Sequence, residues 1–166
     1  SRKVLAALRK RCPKALIVAG GEHITATPEF SMTSAPEIDL CVLGEGEIVL
    51  ENLLEKYFEI GALPEDVEGT CARLKDGQFR RNARQARIKD LTTIPWPNWD
   101  GFPMNNYFED GISYGVNRGR SMPIMGSRGC PYQCTFCSNP LMWTTTWKAR
   151  DPEEIVAEMK LYIQKF

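Results

Sequence analysis

The sequence has little histidine, no excess of one charge and no long hydrophobic run. Its 166 residues contain one histidine, and 21 basic side chains balance 21 acidic ones. A neutral chain gives no electrostatic reason to expect binding to nucleic acid or to an anionic membrane. No apolar stretch approaches the roughly 20 residues of a transmembrane helix, and nothing resembles a secretory signal peptide. We therefore expect a soluble, cytoplasmic protein with reduced cysteines.

Two strand, glycine-turn, helix patterns occupy the first 62 residues. An apolar run at 15–19 precedes Gly20-Gly21, and a second run at 38–43 precedes Gly44-Glu45-Gly46. An amphipathic helix follows the second turn and is expected to end at Gly61. Short apolar strands that alternate with helices predict an α/β fold with a partial doubly wound, flavodoxin-like parallel sheet. Ligands of such sheets bind beyond the carboxyl ends of the strands, where both glycine turns fall.

Residues 63–110 are interpreted as a connector that contains a β-hairpin. Asp76-Gly77 lies between two extended runs, 70–74 and 78–81, and such a pair supplies the positive φ of a tight turn. This stretch is also locally basic, so RNA contact stays an alternative to a solvated hairpin face. The proline-rich residues 94–107 are expected to drape over a surface, with their tryptophans packed against it.

Three of the six cysteines are grouped in one short run, Gly129-Cys130-Pro131-Tyr132-Gln133-Cys134-Thr135-Phe136-Cys137. Thiolates spaced C-x3-C-x2-C on one loop can hold three irons of a cubane 4Fe-4S cluster and leave the fourth iron without a protein ligand. An iron without a protein ligand can bind a reactant. These three cysteines are therefore the predicted metal ligands. The remaining cysteines are isolated and are expected to be packing residues; they are Cys12, Cys41 and Cys71.

Structural zinc is the alternative for the grouped thiols, and zinc prefers four tetrahedral ligands. No fourth cysteine or histidine follows at the usual spacing, and the one histidine, His23, lies over a hundred residues upstream. A disulfide would leave one of the three thiols unpaired. An iron–sulfur cluster is therefore favoured, and a zinc- or RNA-binding module without catalysis stays the alternative of another class.

The cysteine run resembles the signature of the radical S-adenosylmethionine (radical SAM) enzymes. The spacing, the glycine before the first cysteine and the aromatic residue before the last one all match. The resemblance implies a 4Fe-4S cluster on Cys130, Cys134 and Cys137, whose open iron binds the amino and carboxylate groups of S-adenosylmethionine. One electron from this oxygen-sensitive cluster would cleave the sulfonium to a 5'-deoxyadenosyl radical. Phe136 would then lie beside the adenine.

The runs 20–29 and 43–47 resemble the later half of the cobalamin-binding domain that precedes the radical SAM domain in one large subgroup. In that subgroup these turns line the pocket for the nucleotide tail of cobalamin. The resemblance implies contacts from Gly20, Gly21, Thr25, Gly44 and Gly46, with Glu45 as a weaker candidate. His23 is expected to form hydrogen bonds from a loop rather than to ligate cobalt, because the Asp-x-His-x-x-Gly signature is absent.

The end of the chain is predicted to begin a partial, TIM-like radical SAM barrel. A strand over 121–127 would carry the cysteine loop at its carboxyl end, where barrel enzymes place their chemistry. Asp151 would cap the following helix. We expect a fragment, inactive by itself, that comprises the later part of a cobalamin-binding domain (1–62), a connector (63–110) and the start of a radical SAM domain (111–166).

The predicted function is that of a cobalamin-dependent radical SAM enzyme acting on a small molecule, with methyl transfer to an unactivated centre as the leading reaction. Oxidative cyclisation or ring rearrangement, as in anaerobic porphyrin-ring cyclases, is the alternative in the same subgroup. A methylthiotransferase is disfavoured because its front domain supplies cysteines for a second cluster, whereas Cys12 and Cys41 are not grouped. The resemblance also implies an external one-electron donor of the flavodoxin or ferredoxin type.

Overall fold

The computed structural model describes residues 2–112, 116 and 119–166. The chain falls into two compact units. The first unit consists of Ser1–Ile88 and Gly129–Thr146, and the second consists of Lys89–Arg128 and Trp147–Phe166. The cysteine loop therefore belongs to the same unit as the beginning of the chain. The predicted domain division assigns these segments to different domains, and it stays a prediction.

Short helices and strands make up both units. In chain order the described helices are α1 (Arg2–Arg11), α2 (Glu22–Ala26), α3 (Pro28–Ser34), α4 (Gly46–Ile60), α5 (Met104–Glu109), α6 (Asn139–Trp143) and α7 (Pro152–Lys165). The strands are β1 (Val18–Ala19), β2 (Leu40–Val42), β3 (Thr70–Arg73), β4 (Phe79–Arg81), β5 (Ser127–Arg128) and β6 (Lys148–Ala149). Among the described residues, no helix combines the length and hydrophobicity needed to cross a membrane.

The sheet of the first unit is mixed, because the predicted hairpin of the connector adds antiparallel strands to the predicted parallel pair. Its order is β1-β2-β3-β4, with β1 and β2 parallel and the other two pairings antiparallel. The predicted hairpin is confirmed, with Gly77 at φ 85° in its turn. It joins the sheet because the edge of β2 presents unpaired backbone groups, which β3 satisfies.

Alternation along the strands sends their side chains to two separate cores. Cys41 and Cys71 are opposite each other on β2 and β3, and they pack with Met32 of α3 on one face of the sheet. Leu40 points to the other face and packs in a core that includes Leu53 of α4. Since successive strand residues point to opposite faces, helices cover both sides of the sheet. The predicted α/β class is confirmed.

The isolated cysteines differ in their surroundings. Cys41 and Cys71 are buried packing residues, as predicted, whereas Cys12 is exposed at the end of α1 and the prediction for it is wrong. Burial, followed by the influence of Cys71 and Glu29, raises the pKa of Cys41 to about 12. Burial and Glu29 raise the pKa of Cys71 to about 11. Both core thiols therefore stay protonated near neutral pH.

The helix after the second glycine turn ends where the sequence predicts. Gly61 adopts the left-handed conformation, with φ 66° and ψ 18°, and its N–H donates to the carbonyl of Tyr57 over 3.0 Å. A glycine in this position closes a helix at little steric cost. The helix begins at Gly46, so that α4 rises directly from the glycine turn behind β2.

The second unit confirms the predicted helix cap and corrects the predicted strand. The Asp151 carboxylate accepts a hydrogen bond from the N–H of Glu153 over 2.7 Å at the start of α7. Only Ser127 of the predicted strand 121–127 lies in a strand, and β5 pairs antiparallel with β6. Pro123 has no N–H to donate to a strand partner, and β6 offers only two residues for pairing. The partial-barrel description stays a prediction.

A buried polar network holds α7 in the second unit. Tyr162 donates to Glu158 over 2.5 Å and accepts from the indole N–H of Trp99 over 2.8 Å. Arg150 donates to the other carboxylate oxygen of Glu158. Burial, and then the hydrogen bond to Glu158, raise the pKa of Tyr162 to about 12. Trp99 thus packs against the helix through a specific hydrogen bond, in agreement with the packing role predicted for the tryptophans.

Candidate functional site

The two glycine turns lie at the carboxyl ends of the parallel strands β1 and β2. Gly20 directly follows β1, and a Cβ added to it would lie 3.6 Å from the carbonyl oxygen of Val42, the last residue of β2. Gly21 has φ 97° and ψ −175°, a conformation that is essentially restricted to glycine. This lets the chain turn sharply into α2. Both turns therefore stand at the edge where α/β sheets bind ligands.

Thr25 links the two turns. Its side chain is 4% exposed, and its hydroxyl oxygen accepts a hydrogen bond from the N–H of Gly44 over 3.0 Å. Gly44 itself has φ 73°. Five of the six predicted cobalamin contacts therefore gather at one edge of the sheet, and they are Gly20, Gly21, Thr25, Gly44 and Gly46. Their contact with cobalamin stays a prediction.

Glu45, the sixth predicted contact, uses its carboxylate inside the protein. The Oε2 atom forms an ion pair with Nε of Arg87 at 2.8 Å and accepts a hydrogen bond from the N–H of Ile88 over 2.9 Å. The side chain is only 4% exposed. The sequence pattern does not reveal this ion pair, because its partners are far apart along the chain.

His23 lies in a helix rather than in the loop that the sequence predicts. It is an exposed residue of α2, and its carbonyl accepts hydrogen bonds from the N–H and the hydroxyl of Thr27, both over 3.0 Å. The sharp turn at Gly21 allows this short helix to begin immediately after β1. The side-chain hydrogen bonding predicted for His23 stays a prediction.

The cysteine loop is closed by hydrogen bonds near its ends. The N–H of Cys137 donates to the carbonyl of Cys134 over 3.0 Å, which forms a tight turn between the second and third cysteines. The Asn139 side chain donates to the carbonyl of Cys130 over 3.2 Å, and the backbone N–H of Asn139 donates to Sγ of Cys137 over 3.4 Å. Asn139 thus links the first cysteine to the last. The sequence does not predict this role, because Asn139 belongs to no local motif.

Gly129 is required by the path of the chain before the first cysteine. It has φ 84°, and a Cβ at this position would lie 2.1 Å from the carbonyl oxygen of Thr146. No side chain fits so close to a backbone atom. The glycine that the radical SAM signature places before its first cysteine therefore has a steric reason in this protein.

The cysteine loop presents three thiols, the type of ligand that holds iron–sulfur clusters in proteins. Cys130 is half-buried, and Cys134 and Cys137 are exposed. Within the described ranges, no group of three or more His, Cys, Asp or Glu side chains is arranged to hold one metal ion. A cubane requires a different arrangement, because each thiolate binds a different iron. Three accessible thiols on one loop meet that requirement chemically.

Phe136 lies on the surface of the cysteine loop. Its side chain is 91% exposed, although a large apolar ring is usually at least partly covered in a folded protein. An exposed ring between Cys134 and Cys137 can stack on a planar group. Its predicted position beside the adenine of S-adenosylmethionine stays a prediction.

The segment after the third cysteine packs against the glycine turns. Ser138 donates to the carboxylate of Glu22 over 3.0 Å, at the start of α2. The Thr25 hydroxyl donates to the sulfur of Met142 over 3.4 Å, and Met142 is buried in α6. The residue that joins the two glycine turns therefore also contacts the helix behind the cysteine loop.

Four arginines of the basic stretch donate to backbone carbonyls, and two of them, Arg81 and Arg84, are also exposed to solvent. Arg84 binds the carbonyls of Leu141 and Met142 near the end of α6, over 3.0 and 2.8 Å. Carbonyls in the last turn of a helix lack partners within the helix, and a cation satisfies them well. The other arginines that bind carbonyls are Arg73, Arg81 and Arg87.

The same edge of the sheet carries positive charge. A cavity of about 70 Å³ is lined in part by Thr25, Gly44, Arg81 and Arg84. Burial, and then the neighbouring Arg87, lower the pKa of Arg84, while Glu45 opposes the shift. The surroundings of Thr25 are thus cationic, although the whole chain is neutral.

Several curated proteins are similar to this chain over most of its length, although no protein-family profile matches it. The uncharacterized methyltransferase PH0819 of Pyrococcus horikoshii is 33% identical over 87% of this chain. The anaerobic magnesium-protoporphyrin IX monomethyl ester cyclase of Cereibacter sphaeroides is 33% identical over 92% of this chain. The cobalamin-dependent radical SAM methyltransferase TokK of Streptomyces tokunonensis is 25% identical over 96% of it. The chain belongs to the cobalamin-dependent radical SAM enzyme family.

Solved structures related to this family have the same fold. TsrM of Kitasatospora setae, a radical S-adenosylmethionine methyltransferase solved with its tryptophan substrate and a SAM analogue, matches 99% of this chain with a TM-score of 0.72 and 20% identity. OxsB, a cobalamin-dependent S-adenosylmethionine radical enzyme solved with aqua-cobalamin and S-adenosylmethionine, matches 95% with a TM-score of 0.70 and 21% identity. At such identities the likeness shows the fold alone.

The chain is much shorter than these proteins. It spans 30% of PH0819, 24% of the cyclase and 23% of TokK. It matches 30% of the TsrM chain and 20% of the OxsB chain. The family assignment therefore concerns this stretch, which contains both glycine turns and the cysteine loop.

Proposed function

We propose that this chain carries the cysteine loop and the tail-binding turns of a cobalamin-dependent radical SAM enzyme. The observation that carries the proposal is the contact between Thr25 and Met142 within the first unit. Thr25 joins the two glycine turns, and Met142 belongs to the helix behind the cysteine loop. Cofactors that act in one reaction have to be held close together. This contact brings the segments proposed to bind them side by side.

In this proposal Cys130, Cys134 and Cys137 hold a 4Fe-4S cluster, and Phe136 lies beside the adenine of S-adenosylmethionine. When bound, the cluster supplies the electron that cleaves S-adenosylmethionine to methionine and a 5'-deoxyadenosyl radical. Three thiolates on the loop leave one iron free to bind S-adenosylmethionine. A flavodoxin or ferredoxin type protein supplies the electron from outside, and a reducing cytoplasm keeps the thiols available for iron.

The glycine turns are proposed to receive the nucleotide tail of cobalamin. Gly20, Gly21, Gly44 and Gly46 carry no Cβ, so the backbone can approach a ligand closely. Thr25 holds the turns together through Gly44. Glu45 would contact the tail through its backbone, since Arg87 and Ile88 occupy its carboxylate.

Methyl transfer to an unactivated centre of a small molecule is the reaction we propose first. PH0819 and TokK are both named as methyltransferases. Oxidative cyclisation is the second candidate, because the ester cyclase of Cereibacter sphaeroides is as similar to this chain as PH0819 is, at 33% identity. Both reactions begin with the same cleavage of S-adenosylmethionine in this proposal.

Anaerobic iron–sulfur reconstitution of the full-length protein tests the proposed cluster. We expect an electron paramagnetic resonance signal of a reduced 4Fe-4S cluster that shifts when S-adenosylmethionine is added. The Cys134→Ala variant should lose the signal. The Cys12→Ala variant removes an exposed cysteine outside the loop and should keep it. One zinc per chain with no iron would overturn the proposal.

The nucleoside products separate the two reactions. The reconstituted protein is incubated with reductant, cobalamin, S-adenosylmethionine and a small-molecule extract. A methyltransferase should form S-adenosylhomocysteine together with 5'-deoxyadenosine, because one S-adenosylmethionine molecule donates the methyl group and another supplies the radical. A cyclase should form 5'-deoxyadenosine without S-adenosylhomocysteine. If 5'-deoxyadenosine forms without S-adenosylhomocysteine, cyclisation replaces methyl transfer as the proposed reaction.

A further inference from the structure

Arg87 lies between the glycine turn behind β2 and the segment that follows the cysteine loop. Its Nε atom pairs with Glu45 in the turn at 2.8 Å. Its Nη1 atom donates to the carbonyl of Thr146 over 3.2 Å and to the hydroxyl of Thr144 over 3.5 Å. The guanidinium also lies over the ring of Trp143, 5.5 Å from its centre. One side chain therefore contacts both segments proposed to bind cofactors.

The ion pair with Glu45 is the buried end of this connection. The Arg87 and Glu45 side chains are 13% and 4% exposed, and the N–H of Ile88 shares the same carboxylate oxygen. Charges attract more strongly when water is excluded. Removing one partner would leave the other buried without compensation. The position of the arginine is thus set from the side of the glycine turn.

At its other end, Arg87 touches the entrance to the cysteine loop. A Cβ added to Gly129 would lie 2.1 Å from the carbonyl oxygen of Thr146 and 3.4 Å from Nη1 of Arg87. Gly129 directly precedes Cys130. Since these backbone atoms are already in close contact, Thr146 cannot move towards Gly129 without displacing the first cysteine.

One nitrogen of the Arg87 guanidinium differs from the others in its hydrogen bonding. In the described part of the chain, its Nη2 atom is buried and has no hydrogen-bond acceptor. A buried donor without a partner is costly. A shift of residues 144–146 that supplies an acceptor would therefore be favourable.

We propose that Arg87 couples the two cofactor sites, so that cobalamin at the glycine turn strengthens binding of S-adenosylmethionine at the cluster. The proposal rests on the function proposed above. A ligand that orders the turn also orders the segment behind the cysteine loop through Arg87, so the second ligand has less to order. Linkage requires that each ligand changes the affinity of the other by the same factor.

The test is the affinity of the reconstituted full-length protein for S-adenosylmethionine, measured with and without hydroxocobalamin. We expect binding that is about fivefold or more tighter when cobalamin is present. In Arg87→Met both ligands should still bind, but the difference should disappear. Equal affinities in the unaltered protein, or an unchanged difference in Arg87→Met, would overturn the proposal.

A charge-matched control separates coupling from a general loss of positive charge. Arg80 is exposed and neighbours Arg81 in β4, so its side chain points to the opposite face of the sheet from that of Arg81. Arg80→Met should keep the full difference in affinity. Loss of the difference in Arg80→Met as well would show that Arg87 is not the link.

Two further variants keep the proposal testable where Arg87→Met does not fold. Glu45→Gln should remove the coupling from the other end of the pair. Arg87→Lys keeps the charge but lacks the planar fork, so it should keep only part of the coupling. A full difference in affinity in Glu45→Gln would overturn the proposal. Failure to bind either cofactor would overturn the proposed function itself, which is a different result from binding both independently.

Discussion

Cys41 and Cys71 face each other across two buried strands, whereas Cys130, Cys134 and Cys137 lie on a loop that is held mainly by hydrogen bonds at its ends. The strand thiols are buried, and burial raises their pKa values to about 12 and about 11. Two of the three loop thiols are exposed. Since a thiol binds metal and reacts as the thiolate, packing assigns one pair to the core and leaves the loop cysteines available for iron.

Removing one cysteine from each setting should have the largest and most different effects. Cys137→Ala should abolish the 4Fe-4S cluster, because two thiolates cannot replace the three that the loop offers. Cys71→Ala should retain the cluster but lower the free energy of unfolding by about 1–2 kcal/mol through lost core packing. Iron and sulfide content and denaturant unfolding measure the two effects. If Cys71→Ala also lost its iron, the distinction between core cysteines and loop cysteines would be wrong.

Alkylation rates should separate the settings without any substitution. Raising the pKa of Cys41 from 9.0 to about 12 lowers its thiolate fraction roughly a thousandfold near neutral pH, and burial limits access further. Iodoacetamide should therefore modify Cys134 and Cys137 at least about a hundredfold faster than Cys41, as measured by mass spectrometry of the metal-free protein. In denaturant the rates should become similar. Rapid labelling of Cys41 in the native protein would contradict its position in the core.

The rigid start of the cysteine loop should make Gly129→Ala far more damaging than Gly77→Ala. The two glycines have nearly the same φ, 84° and 85°, but only Gly129 faces a backbone atom where Cβ would be. Gly77→Ala should cost about 1–2 kcal/mol for the left-handed conformation alone. Gly129→Ala should cost at least about 3 kcal/mol and lower cluster occupancy, because the backbone must shift. Equal unfolding free energies would show that the loop is not held against Thr146.

Alkaline pH should weaken the core around the strand thiols gradually, with only a small change in stability per pH unit. The folded-state pKa of Cys41 is raised, so its thiol stays protonated in the folded chain between pH about 9 and 12 while the unfolded chain loses the proton. Stability is therefore unaffected below pH about 9 and falls above it, by at most about 1.4 kcal/mol per pH unit for one thiol. Denaturant unfolding at a series of pH values measures this slope.

Variants assign the alkaline loss to its source. Cys41→Ala should reduce the slope, whereas Cys12→Ala, which removes an exposed thiol, should leave it unchanged. Tyr162, whose pKa is raised to about 12 in the second unit, adds a decline of its own and is present in both variants. An unchanged slope in Cys41→Ala would contradict the burial of this thiol.

Local patterns predict those elements whose causes are local. The end of α4 at Gly61, the hairpin turn at Gly77 and the cap at Asp151 each depend on residues within about one turn of the chain. The strand predicted over 121–127 fails because strand pairing depends on a distant partner. Only Ser127 and Arg128 find one, in Lys148–Ala149.

The basic stretch shows why site contacts are harder to predict. A run of arginines gives no sign in the sequence of the partners that its members bind. Arg84 binds carbonyls that lie 57 and 58 residues further along the chain. No periodicity or motif relates residues at that separation, and a backbone carbonyl carries no sign of its partner in the sequence.

By itself, the sequence determined the family, the three cysteines of the loop and the glycines of the two turns, because spacing over a few residues decides what a loop can present to a ligand. Only the tertiary structure decided that the sheet is mixed, that Arg87 joins Glu45 to Thr146, and that Thr25 meets Met142. These contacts join residues far apart along the chain. They exist only when the chain folds and its backbone and side-chain groups find partners together.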